Sequence, residues 1–159
     1  MANTTQQIIA PARIPADLAD VRALFQEYAN SLGFDLCFQG FQEELARLPG
    51  EYSDPSGALL VVRNANRVTG CVGLRRLEKD ICEMKRLYVQ PRARGGGLGR
   101  RLAEAAIIEA RRKSYCFMRL DTVPSMKEAI TLYESLGFVR IAPYRRNPIE
   151  GAVFMELTL

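Results

Sequence analysis

The sequence predicts an α+β fold, an α/β mixed sheet flanked by helices, from three observations. Apolar side chains recur at helical spacing in four stretches, and short apolar runs bounded by turn formers lie between them. A long strand, a helix and another strand follow one another from Ile81 to Leu120, which implies a parallel pair with a right-handed crossover. The hairpin that precedes them is antiparallel, so the sheet is mostly antiparallel and twisted, with one parallel crossover.

In chain order, residues 1–12 read as an N-terminal tail or edge strand, and 13–159 as a single domain. After Pro15, Leu18, Val21, Phe25, Tyr28 and Leu32 keep helical spacing, with Asp17 near the start and Gly33 as a stop. A second short helix fits Phe41 to Leu48 and ends at Pro49-Gly50. The loop from Glu51 to Gly57 is dense in turn formers. Ala58–Val62 and Arg67–Leu74 form a hairpin about Asn64-Ala65-Asn66.

Ile81–Val89 is a longer strand that stops at Pro91, and alternation puts Glu83, Lys85, Leu87 and Val89 on one face. From Leu98 to Lys113 an apolar stripe (Leu98, Leu102, Ala103, Ala106, Ile107, Ala110) opposes a charged face. Tyr115–Leu120 reads as a buried strand. Ser125–Leu136 is a helix with Met126, Ala129, Ile130 and Tyr133 in one stripe, capped by Gly137. Phe138–Ala142 and Ala152–Leu157 supply the last strands.

Composition narrows the chemistry. At 159 residues, 48% hydrophobic and 25% charged, the chain fits one globular domain with a real core. No apolar run nears the roughly 20 residues of a membrane helix, and the polar start lacks an apolar signal core, so the expectation is a cytoplasmic protein with no membrane partner. There is no histidine, which excludes Ser-His and Cys-His nucleophilic catalysis. Cys37, Cys71, Cys82 and Cys116 form no Cys-x-x-Cys pair, so no metal is expected and the thiols read as buried and reduced.

The most informative stretch runs from Val89 to Leu102, where Arg94-Gly95-Gly96-Gly97-Leu98-Gly99 joins a strand to a helix. Glycines let a ligand approach the main chain, and amides at a helix start converge on an anion. A dinucleotide fingerprint starting at Gly95 needs glycine where Arg100 stands. A P-loop needs Gly-Lys-Ser/Thr where Arg100-Arg101 follows. The net charge of +4 suits an anionic ligand. A nucleic-acid module using Arg92–Arg101 and Arg111–Lys113 is the rival, but the basic run has no interleaved aromatics, so no nucleic-acid partner is expected.

Leu87-Tyr88-Val89-Gln90-Pro91, followed by the turn, resembles motif A of the GNAT acetyltransferase superfamily, with Arg94, Gly97 and Gly99 at its defining positions. Ala129 to Phe138 resembles the family's motif B. The resemblance covers nearly the whole chain and implies a single-domain acyl-CoA N-acyltransferase-like fold.

It also implies an N-acetyltransferase with acetyl-CoA as cosubstrate. Leu87, Tyr88 and Val89 would then pair with the pantetheine arm, and the amides of Arg94, Gly95, Gly96, Gly97, Leu98, Gly99 and Arg100 would hold the pyrophosphate. Glu83 is the implied general base, directly or through a water, with an ion pair to Lys85 as the alternative. Tyr133 is the implied acid for the leaving thiolate, with a place in the core as the alternative. Many relatives carry asparagine where this chain has Met126, so that contact is missing or replaced.

The expected acceptor is a primary amine of a small molecule or an amino-acid-like compound, with a protein N-terminus or lysine next. A silent acyl-CoA-binding sensor of the same fold is the competing reading, and a homodimer is compatible with either. Acceptor candidates are Tyr28, Phe34, Phe38, Phe41, Glu51, Tyr52, Asp54, Tyr144, Arg145 and Arg146. Glu51 and Asp54 suit an amine cation, and Arg145-Arg146 a carboxylate.

Overall fold

The computed structural model describes residues 6–159. Seven strands form one sheet in the order β1-β2-β3-β4-β5-β7-β6. They are β1 (Gln7–Pro11), β2 (Ala58–Asn64), β3 (Arg67–Glu78), β4 (Ile81–Val89), β5 (Phe117–Thr122), β6 (Val139–Ile141) and β7 (Val153–Thr158). Every neighbouring pair is antiparallel except β4 with β5. The helices are α1 (Leu18–Ser31), α2 (Phe41–Arg47), α3 (Leu98–Arg112) and α4 (Lys127–Ser135).

Two cores lie on the two faces of the sheet. On one, the α3 stripe packs on Leu60, Val62, Val72, Leu74, Met84 and Met118, with Tyr133 of α4 in the same cluster. On the other, Val21, Leu24 and Phe25 of α1 and Phe41 and Leu45 of α2 pack on Leu59, Val61, Cys71 and Tyr88. The α3 stripe read from sequence is buried throughout, while the spacings of the first and last helices bury Val21, Phe25 and Tyr133 and leave their other members half-buried. β7 enters between β5 and β6, a placement that local pattern does not encode.

Several boundaries move for local reasons. β3 runs on to Glu78 because its charged end keeps pairing, Arg75 with Glu83 and Glu78 with Ile81. β5 begins at Phe117 because the amide of Tyr115 closes the end of α3 on the Ala110 carbonyl, and its hydroxyl donates to Ser56 O at 2.6 Å. The expected burial of all four cysteines holds for Cys71 and Cys82 only. Cys37 and Cys116 sit in exposed connections ahead of α2 and β5.

The register of β4 departs from simple alternation. Cys71 pairs with Tyr88 and Gly73 with Lys85, so Val72 stands opposite two residues, Arg86 and Leu87. Arg86 takes a left-handed conformation at φ +59. This is a β-bulge, and it turns the strand over. Glu83 and Lys85 face α1 and α2, whereas Leu87 and Val89 pack into the core under α3, so the four residues do not share a face.

The left-handed geometry costs an L-residue roughly 1–2 kcal/mol. Arg86 offsets it with a two-pronged ion pair, Nε and Nη2 donating to the two carboxylate oxygens of Glu44 at 2.9 and 3.1 Å. Its guanidinium also lies 5.1 Å from the centre of the Phe41 ring.

Opposite Lys85, Gly73 leaves room for the Tyr52 ring to lie against the sheet; a Cβ there would meet that ring at 2.5 Å. Gly73→Val is expected to destabilise the protein by roughly 1–3 kcal/mol through overpacking, read as a lower urea midpoint at unchanged slope.

Candidate active site

The glycine turn begins where β4 ends. After a single 3-10 turn (Pro91–Ala93), Gly95 and Gly97 take φ of +106 and +69, and α3 starts at Leu98 with no side-chain cap. Arg101 is the first residue whose amide finds an intrahelical acceptor, the Gly97 carbonyl. Among the described residues, the amides of Gly95 through Arg100 have no protein acceptor. A Cβ on Gly95, Gly97 or Gly99 would meet nothing within 4 Å. The turn is therefore an open floor of main-chain donors at the positive end of a 15-residue helix dipole, which fits a pyrophosphate. Arg94 braces it, with Nε donating to the Val89 carbonyl at 2.8 Å and the guanidinium over the Tyr88 ring.

A groove leads away from this floor. It is lined by Leu87, Tyr88, Val89, Arg94, Gly95, Gly97, Leu98 and Gly99, with Met126, Ala129 and Leu132 opposite. Gly96 and Arg100, grouped with these residues from sequence, fall outside the lining. Gly96 faces the Gln7 side chain, and Arg100 is held by Glu104 and Ser135.

The groove follows a free strand edge. β4 and β5 pair only over Ile81–Glu83 and Phe117–Arg119, and beyond that the strands part. Gln90 donates its amide to Thr69 O on β3, so alternation turns the main chain of Val89 and Leu87 toward the open side. An extended arm can add to that edge as a strand would.

Through Tyr28, Leu87, Met126 and Ala129 the groove joins a second cavity, set between the parted strands. Tyr133 lines this cavity. Its ring is packed against Phe138 at 5.7 Å, and burial raises its pKa, so the phenol keeps its proton.

Glu83 lies at the fork where β4 and β5 separate, with no solvent exposure. Oε1 accepts from Arg75 Nε at 2.9 Å, with Arg75 Nη2 2.8 Å away in the same ion pair and Lys85 Nζ 3.7 Å away. Oε2 accepts from the Tyr144 hydroxyl at 2.6 Å and from Arg145. Burial alone would push this carboxyl up, but Lys85, Arg145 and Arg75 outweigh it and hold it down to about 2. Three cationic side chains and the Tyr144 hydroxyl thus close on this one carboxylate. The ion pair with Lys85 is formed. Lys85 is moved the other way: burial lowers it, Glu83 opposes only in part, and Arg86 and Arg75 add to the fall, to about 7.

A profile of the acetyltransferase (GNAT) family matches residues 19–138. The chain belongs to this family. It is 39% identical over 153 residues to an uncharacterized N-acetyltransferase of Schizosaccharomyces pombe, spanning 95% of this chain and 94% of the relative. Its fold matches a crystal structure assigned as an acyl-CoA N-acyltransferase from Klebsiella pneumoniae subsp. pneumoniae. The TM-score is 0.74 at 28% identity, over 98% of this chain and 99% of that one. An acetyltransferase of Salmonella typhimurium, solved with its cofactor acetyl-CoA, shares the fold at TM-score 0.70 and 23% identity, over 96% and 94% of the two chains. The protein is an acetyl-CoA-dependent acyltransferase.

Several of the acceptor candidates have partners within the chain. Glu51 binds Arg75 Nη1 at 2.7 Å, Asp54 binds Lys113 Nζ at 2.8 Å, and Tyr144 and Arg145 close on Glu83. Phe41 and Tyr52 are buried in the core, and the side chain of Phe38 lies outside the described residues. Tyr28 and Phe34 do line the cavity, together with Gln39, Lys85, Arg86, Asp121 and Asn147. Asp121 and Gln39 carry no motif; Asp121 comes in on β5 and Gln39 from the 3-10 turn Cys37–Gln39 ahead of α2. Among the described residues no group of three or more His, Cys, Asp or Glu could hold a metal ion, and no helix is long and apolar enough to cross a membrane.

Glu83→Gln leaves one buried and two half-buried cations without their shared anion, and is expected to cost roughly 3–5 kcal/mol in denaturant unfolding at pH 7. Because the folded carboxyl is depressed, its contribution is complete above the unfolded value of about 4.3 and fades as pH falls toward 2. The stability gap between wild type and variant should therefore close between about pH 5 and 2.

Proposed function

We propose that residues 13–159 form the catalytic domain of an N-acetyltransferase that acetylates the primary amine of a small molecule by direct attack. The observation that carries this reading is the groove that runs from the bare amides of the glycine turn, along the free edge of β4, to a cavity that Tyr133 lines together with Lys85 and Asp121. The Salmonella neighbour with acetyl-CoA supports the cosubstrate, and this chain's residues fit it. Amides from Gly95 to Arg100 would hold the pyrophosphate, charge-assisted bonds contributing roughly 1.5–3 kcal/mol each. Leu87 and Val89 would bind the pantetheine arm through main-chain groups. Met126, in the lining of both cavities, supplies apolar contact where many relatives carry an amide.

When bound, acetyl-CoA supplies an activated acetyl thioester at the fork of the strands. The cavity admits the acceptor as its ammonium, which gives up one proton to solvent before its nitrogen attacks the carbonyl carbon. A C–N bond forms and the C–S bond breaks. Tyr133 donates its phenolic proton to the departing thiolate, and the second proton lost by nitrogen restores the phenol. One proton is released per amide formed. Glu83 takes no proton in this scheme; it fixes the positions of Lys85 and Arg145, while burial keeps Tyr133 protonated at working pH.

Two variants test the assignment. Gly97→Val demands a left-handed conformation of a β-branched residue and places a side chain over the amides. The dissociation constant for acetyl-CoA should rise at least tenfold while the circular dichroism spectrum is kept. Tyr133→Phe should lower kcat by about 100-fold, within the range of a lost acid catalyst, with little change in acetyl-CoA affinity. Unchanged kcat in an amine assay with free-thiol detection would remove Tyr133 from the mechanism.

A further inference from the structure

Beyond the fork, β4 and β5 carry opposite charges that face one cavity without meeting. Lys85 and Asp121 each stand two residues past the last paired position, where Glu83 is opposite Arg119, and both line the cavity. No ion pair joins them. Lys85 Nζ donates to Gln39 Oε1 at 2.9 Å and lies 3.7 Å from Glu83. Asp121 accepts, among the described residues, only from Asn147 Nδ2 at 3.3 Å. An ammonium has three hydrogens and a carboxylate about four acceptor positions, so both groups keep bonding capacity. The neighbouring Arg86 already spends three of its five N–H donors on Glu44 and Gln39, which fix its guanidinium in place.

A buried or half-buried charge is costly until it is paired, so the cavity favours an occupant that pairs both. A simple amine would satisfy Asp121 and leave Lys85 as it is. A molecule bearing a carboxylate beside its amine satisfies the two at once. Leu32, Phe34 and Leu36 form an apolar wall of the same cavity.

We infer that the acceptor is a free α-amino acid with an apolar side chain, its ammonium held by Asp121, its carboxylate by Lys85, and its side chain against Phe34 and Leu36. This rests on the amine acetylation proposed above and adds the acceptor class and the two residues that select it. Burial supports the role of Lys85, because a desolvated ammonium with donors left over gains from an incoming carboxylate.

The test pairs each amino acid with its own decarboxylated amine: leucine with 3-methylbutylamine, phenylalanine with phenethylamine, methionine with 3-(methylthio)propylamine. Turnover with acetyl-CoA is followed by free-thiol release on the wild-type protein. At least one amino acid should exceed its amine in kcat/KM by tenfold or more. Lys85→Met should bring that ratio to within about threefold of one, and Asp121→Asn should raise KM for both members of the pair. Equal or better use of the decarboxylated amines by wild type would overturn the inference while leaving amine acetylation standing. So would an undiminished ratio in Lys85→Met. If acetyl-CoA binds but no amine of either kind is acetylated, the proposed function fails and the inference falls with it. The wild-type ratio decides the matter even where a variant does not fold.

Discussion

Glu83 carries a full negative charge in a place that water does not reach, and the geometry around the cavity depends on it. Arg75 from β3, Lys85 from β4, and Tyr144 and Arg145 from the connection between β6 and β7 all close on this one carboxylate. Its residue is also the last in β4 to pair with β5. Desolvating four charges is expensive, and their mutual attraction repays the cost only while all are present. The hub therefore fixes three separate chain segments at the point where the two central strands begin to part. Its place on the strand is where the family resemblance puts a base; we propose instead that this saturated carboxylate supports the groups that face substrate.

A second constraint works one step further along β4. The bulge at Arg86 reverses the alternation, so that charged residues before it face α1 and α2 and apolar residues after it face α3. Without the bulge, Leu87 and Val89 would lie on the wrong side to build the groove floor. Glu44 of α2 holds Arg86 in its unfavourable conformation, which makes a surface helix part of the support of the site. The free edge of β4, the open amides of the turn and the parted strands are then three consequences of one distorted strand.

Much of this was legible in the sequence, for identifiable reasons. Helical periodicity marked the faces of α1, α3 and α4 because those faces wholly or partly bury what they display. The glycine turn was legible because its chemistry is local: positive φ, missing Cβ atoms and free amides all follow from consecutive residues. The face of Glu83 and Lys85 relative to Leu87 was misread, since a bulge at an arginine leaves no glycine or proline as a marker. Asp121 was invisible because its meaning comes from lining one cavity with Lys85, a residue 36 positions away on the neighbouring strand. The loop charges Glu51, Asp54 and Arg145 looked free for substrate, but long-range partners claim all three.

The central claim is that the bare main-chain donors of one strand edge and one turn form the acetyl-CoA site. Residue-resolved amide hydrogen exchange, with and without saturating acetyl-CoA, tests it most directly. The account predicts new protection at Leu87, Val89 and the run from Gly95 to Arg100, with the paired amides of β2 and β3 unchanged. Protection that rises elsewhere while these amides continue to exchange freely would contradict it.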